Sequence, residues 1–125
     1  MIVGIGIDIV DVAEFRDRLD HALIDELFLP AEADYARSQA RLEENFAARF
    51  AAKEAAFKAL GAGLSQGLRW RDVEVVRDAS GAVGLELHGA ARALADEKNI
   101  TGCRVSLSHT RSQATALVVM EKSGG

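Results

Sequence analysis

The sequence predicts one α+β domain in which a mainly antiparallel sheet packs on one long helix. Three observations carry this. Residues 2–10 alternate with period two, a single helical pattern runs from about Arg41 to Leu60, and two later strand pairs close on short polar turns. The chain of 125 residues has the length of one ordinary domain, here read as 1–125.

Val3, Ile5, Ile7 and Ile9 share one face of the first strand, while Gly4, Gly6 and Asp8 share the other. Residues 11–27 follow as a helix, with Val12, Phe15, Leu19, Leu23 and Leu27 three or four apart. Pro30 suits the first turn of a new helix through Glu32 and Tyr35. In the long helix, at roughly 100° per residue, Phe46, Phe50, Phe57 and Leu60 fall in a sector of about 80°. Gly61 and Gly63 end it. Val73–Arg77 and Val83–His88 form a hairpin through Asp78-Ala79-Ser80-Gly81. Ala90–Lys98 is a short amphipathic helix ending near Asn99, and Cys103–His109 and Ala114–Met120 are the last strands. The Gly-Gly end is expected to fray.

With 49% hydrophobic and 27% charged residues, the composition is that of a globular fold. A net charge of −4 argues against a nucleic-acid binder relying on overall positive charge. No apolar run approaches a membrane span, and Asp8 and Asp11 interrupt the N-terminal one, so neither a span nor a signal peptide is expected. Cys103 is the single cysteine and reads as a buried, inert thiol. The expected setting is cytoplasmic.

Gly4-Ile5-Gly6 lacks the third glycine of a dinucleotide fingerprint, because Ile9 stands there. The two glycines instead bare the face from which Asp8 projects, so a helix or ligand can approach that backbone. On the long helix Glu54 lies about 40° from Phe50, in a lane shared with Ala47, Ala51 and Gly61, with Lys58 one turn on. Small residues beside one carboxylate let another element come near, and the bare strand face would bring Asp8 to Glu54. Taken alone, Glu54 and Lys58 also read as a solvated i,i+4 pair worth about 0.3–0.5 kcal/mol, and Asp8 as a carboxylate on an edge strand. Lys53 points into the phenylalanine stripe, its stem snorkelling or its amine facing a partner subunit or a phosphate. Ser108 and His109 face opposite sides of a strand and do not pair as a nucleophile, and His109 reads as an anion donor. His21 and His88 read as surface residues, and Phe15, Phe28, Tyr35 and Trp70 as core or interface.

Gly-Ile-Gly-Ile-Asp-Ile-Val at 4–10, Arg-Phe-Ala-Ala-Lys-Glu-Ala-Ala-Phe-Lys-Ala-Leu-Gly at 49–61 and Ser-Leu-Ser-His-Thr at 106–110 together resemble the signatures of holo-acyl-carrier-protein synthases. These are the short, single-module 4′-phosphopantetheinyl transferases. Order, spacing and total length agree, so the resemblance spans the chain. It implies their fold, and transfer of 4′-phosphopantetheine from coenzyme A to a serine of an apo acyl carrier protein, with release of 3′,5′-ADP. It further implies a role in lipid biosynthesis, with fatty-acid and polyketide carriers both open, and a homotrimer holding coenzyme A between neighbouring subunits. By the same resemblance Asp8 and Glu54 hold Mg²⁺, and Lys58 completes the catalytic set. Arg41, Arg49, Lys58, Gly61 and His109 match positions that help bind coenzyme A.

Three departures stand out. Ala62 replaces a threonine between the glycines, and Leu29 replaces one before Pro30. The helix after Asp8, normally basic, here pairs Glu14 with Arg18 and Arg16 with Asp20 at i,i+4, which weakens its pull on an acidic carrier. A metal-dependent phosphohydrolase, and a coenzyme A-binding or assembly protein without catalysis, are the rival readings.

Overall fold

A computed structural model describes residues 1–123; the Gly-Gly end lies outside the described residues. The elements run β1 (Ile2–Asp11), α1 (Val12–Arg18), α2 (His21–Leu27), α3 (Pro30–Arg37), α4 (Leu42–Leu60), β2 (Val73–Arg77), β3 (Val83–Leu87), α5 (Gly89–Glu97), β4 (Gly102–His109) and β5 (Gln113–Glu121). Short 3₁₀ turns at Leu64–Gln66 and Trp70–Asp72 lie between α4 and β2. The strands form an antiparallel sheet of order β1-β5-β4 and a separate β2-β3 hairpin. The long helix α4 sits between them, its alanines packed with Val73 and Val75 of the hairpin and with Ala116, Val118 and Met120 of β5.

The bare face of β1 meets α4. A methyl group added at Gly4 would stand 2.0 Å from the Ala59 carbonyl oxygen, and one at Gly6 only 1.8 Å from that of Ala55. Two residues of strand advance about 6.7 Å and four residues of helix about 6 Å, so the two elements stay in step. The next step along this register is Asp8 against the turn that holds Ala51 and Glu54. The bulky face of the strand therefore points away from α4, leaving Ile5, Ile7 and Ile9 58%, 60% and 59% exposed.

The structure splits the helix expected over 11–27. Leu19 is extended, and the Asp20 carboxylate caps a new helix by accepting from the Leu23 amide at 2.8 Å. The apolar spacing persists across the break, which hides it from a periodicity argument. The split also removes the expected Arg16–Asp20 pair, since Asp20 is spent on the cap and the Arg16 guanidinium lies 4.0 Å from Asp17 instead.

Lys53 corrects a second expectation. It neither snorkels nor reaches the surface but is wholly buried, donating to Glu32 Oε1 at 2.9 Å and to the carbonyls of Trp70 and Val73. The other Glu32 oxygen accepts from the Val75 amide at 2.9 Å, and Oε1 also takes the Leu29 amide. Here one buried ion pair joins α3, α4 and β2. Around it Phe15, Phe50, Trp70 and Phe57 stack in sequence with ring centroids 5.0–5.2 Å apart, and Phe28 packs on Phe46.

The remaining elements follow the sequence closely. Gly61 caps α4 with φ 76°, Asn99 ends α5 with φ 61°, and the Asp78 carboxylate ties its own turn to Ser80 and Ala82. A Gly6→Ala substitution should cost about 3 kcal/mol in urea denaturation, because the α4 backbone at Ala55 and Ala59 occupies the place of the new methyl. Gly102→Ala, with nothing within 4 Å of the added carbon, should stay within about 0.5 kcal/mol.

Candidate active site

The register of β1 on α4 brings three of the expected site residues together. The Lys58 ammonium donates to Asp8 Oδ1 at 2.9 Å and to the Ile7 carbonyl at 3.0 Å. The Glu54 carboxyl lies against Asp8 and is pushed up to about 7, first by burial and then by the charge and contact of Asp8, with Lys58 pulling the other way. Asp8 Oδ2 is buried and has no hydrogen-bond partner. Two carboxylates crowded together, one keeping an orphaned buried oxygen, make a poor end state for the free protein. They supply the number and kind of hard oxygen donors that a Mg²⁺ ion takes from protein, its other sites filled by water and phosphate. The residues fit such an ion.

A second cluster lies at the other end of α4. His109 Nδ1 is 3.0 Å from Glu44 Oε1, and the Arg41 guanidinium is 3.7 Å from Glu44 Oε2. Glu44 is thus a buried carboxylate that meets both the Arg41 guanidinium and the His109 ring, and the sequence reading missed it. Its one signal was its place three residues after Arg41, in the first turn of α4. Arg49 is 2% exposed, and burial is the main cause that lowers its pKa, followed by the nearby Arg77. Arg49 and His109 line one groove of about 380 Å³. Gly61 serves as the helix cap, and Lys98 donates to the neighbouring Leu60 carbonyl.

The site residues therefore form two groups. Arg49 and Lys58 are nine residues apart on one helix, which sets their directions about 180° apart. Within one chain they project from opposite sides of α4.

Elsewhere, His88 Nε2 contacts Glu74 Oε1 at 2.9 Å, and Glu74 is opposed to Glu86 across the hairpin ladder, a like-charged pairing that is unfavourable. Cys103 is free and half-buried, and burial pushes its thiol up. Among the described residues no helix is long and apolar enough to cross a membrane.

Comparison with known proteins gives consistent matches. Residues 4–117 match the model of the 4′-phosphopantetheinyl transferase superfamily. A holo-[acyl-carrier-protein] synthase of Geobacter sulfurreducens is 48% identical, covering 98% of this chain and 99% of its own. The crystal structure of a holo-[acyl-carrier-protein] synthase from Neisseria meningitidis superposes with a TM-score of 0.87 at 30% identity, covering 98% of this chain and 100% of that one. A holo-(acyl-carrier-protein) synthase from Bacillus anthracis, in complex with CoA (3′,5′-ADP), gives 0.81 at 34% identity, covering 98% and 99%.

The pH dependence of stability follows from Glu54. In its folded state this group holds a proton to about pH 7, whereas an unperturbed glutamate releases it near 4.5. Between these values the unfolded chain binds fewer protons, so stability falls as pH rises and levels off above 7. Chemical denaturation in chelator-treated buffer should show this fall, and Glu54→Gln should flatten it.

Proposed function

The chain belongs to the 4′-phosphopantetheinyl transferase superfamily, and from that premise we propose that it moves 4′-phosphopantetheine from coenzyme A to a serine of an apo acyl carrier protein. The observation that carries the reading is the Asp8–Glu54 pair with its orphaned oxygen beside Lys58. Asp8 and Glu54 would hold Mg²⁺, which when bound supplies positive charge to the pyrophosphate and to the departing 3′,5′-ADP.

The protein's own groups do the rest. The carrier serine hydroxyl loses its proton to solvent as its oxygen forms a bond to the phosphorus that bears pantetheine, and the bond from that phosphorus to the bridging oxygen breaks, releasing 3′,5′-ADP. Lys58, tethered to Asp8 and the Ile7 carbonyl yet more than half exposed, reaches toward the phosphates and stabilises the charge that grows on the leaving group. Arg41, Arg49 and His109 bind the nucleotide end of coenzyme A, and Gly61, which caps the Lys58 end of α4, joins them in holding it.

Because Arg49 and Lys58 project from opposite sides of α4, one coenzyme A that meets both does so by bridging two copies of the chain. The exposed isoleucines of β1, beside Leu117 of β5 at 39%, give an apolar surface for such a contact. Such bridging supports the homotrimer with shared clefts that the family resemblance implies. Helix α1 would meet the carrier, and with Glu14 and Asp17 beside Arg16 and Arg18 it favours less acidic partners.

Mass spectrometry of an apo carrier incubated with coenzyme A, Mg²⁺ and the protein should show the gain of one phosphopantetheine. Release of 3′,5′-ADP without carrier modification would mark a phosphohydrolase instead, and binding without either product a non-catalytic protein. Asp8→Ala and Glu54→Ala should each lower transfer by about 100-fold or more, the scale set by losing a preorganised electrostatic group. Light scattering at assay concentration should give the mass of three chains; a fully active monomer would overturn the shared cleft.

A further inference from the structure

The Lys58 ammonium has two places to be and can occupy only one at a time. In this structure it donates to Asp8 Oδ1 at 2.9 Å and to the Ile7 carbonyl at 3.0 Å. On the transferase reading it serves the phosphates. While it sits on Asp8, that carboxylate is closed to ions from solvent, because Oδ1 carries the ammonium and Oδ2 is buried. The place between Asp8 and Glu54 is thus already served by a cation of the protein's own.

The ammonium is not locked there. The Lys58 side chain is 55% exposed, against 13% for Asp8. An ion pair that faces solvent in this way shifts an equilibrium by only about fivefold. Lys53, on the same helix, shows the contrast. Its ammonium is wholly buried, with a carboxylate and two carbonyls around it, and has nowhere to go. Lys58 engages two of its three N–H donors among the described residues, so the third can meet a phosphate oxygen before the other two let go. Its flexible four-carbon stem permits the transfer.

Mg²⁺ and an ammonium are like charges, and on one carboxylate each weakens the binding of the other. Two phosphates offer the ammonium more negative charge than Asp8 alone, and their oxygens also complete the shell of the ion. We propose that Lys58 is an internal competitor for the metal. Its ammonium holds Asp8 in the free protein, the pyrophosphate of coenzyme A draws it off, and Mg²⁺ is admitted together with that substrate rather than ahead of it. The inference rests on the proposed Asp8–Glu54 metal site and on the transferase reading for its substrate, and binding alone tests it. Coupling of this kind is reciprocal, so metal and coenzyme A strengthen one another by the same factor.

Mn²⁺, followed by the electron paramagnetic resonance of the free ion, stands in for Mg²⁺ in the test. It is titrated into the full chain at about pH 8, above the value of about 7 to which Glu54 is pushed. One titration is made without coenzyme A and one with it saturating, corrected for Mn²⁺ held by coenzyme A alone. Without coenzyme A, Lys58→Met should bind Mn²⁺ about fivefold more tightly than the unmodified protein, and Lys58→Gln should do the same. With coenzyme A that gain should vanish, so the strengthening that coenzyme A brings shrinks about fivefold in both variants. An equal gain in the two titrations would make Lys58 a nearby charge that never leaves, and overturns the proposal. Unchanged affinity without coenzyme A overturns it too and leaves the metal site standing. No Mn²⁺ bound by any form removes the metal site and the competitor with it. The expected pattern without any transfer to an apo carrier would sink the transferase reading and leave the competition intact.

Discussion

The close approach of one strand backbone to one helix backbone governs this structure. Gly4 and Gly6 let β1 lie directly on the carbonyls of Ala59 and Ala55, with no side chain between them. That contact fixes the register in which Asp8 reaches the turn of Glu54. It also decides that the isoleucines of β1 face outward, since a strand has only two faces and the helix takes the bare one. The site and the exposed apolar stripe are two results of one packing choice.

A second constraint holds the rest of the helical layer. The buried Lys53–Glu32 pair carries a desolvation cost that its Coulomb attraction repays only when every remaining donor and acceptor is satisfied. Here Glu32 takes two amides as well as the ammonium, and Lys53 takes two carbonyls. The arrangement specifies position more than it adds stability. It sets α3 against α4 and β2 at a fixed height, and Tyr35, three residues after Glu32 on α3, is thereby brought against both Arg49 of α4 and Arg77 of β2.

How much of this could be read from the sequence depended on the range of the signal. The bare face of β1 is written in a period-two pattern over nine residues, and the small-residue lane of α4 in a helical one, so the meeting of Asp8 and Glu54 could be anticipated. The cap of α4 at Gly61 was equally local. The break at Leu19 escaped because apolar spacing continues through it, while the capping role of Asp20 depends on an extended backbone that spacing does not reveal. Lys53 was misjudged because its neutralising partner stands 21 residues away on another helix. Glu44 and Arg77 were missed for the same reason. Their importance lies in contacts with His109 and Tyr35, and nothing near them in the chain announces those contacts.

The half-turn between Arg49 and Lys58 has a genetic consequence on the shared-cleft reading. Lesions on the two flanks of α4 damage different halves of a cleft that no single chain completes. A chain crippled at Asp8 keeps an intact nucleotide-binding flank, and a chain crippled at Arg49 keeps an intact metal flank. Co-assembled, they juxtapose the two undamaged flanks in some clefts, so two null alleles would rescue one another. Alleles sorted by such rescue would divide into two complementation groups within one gene, and the dividing line would run along the axis of a helix rather than between segments of the chain.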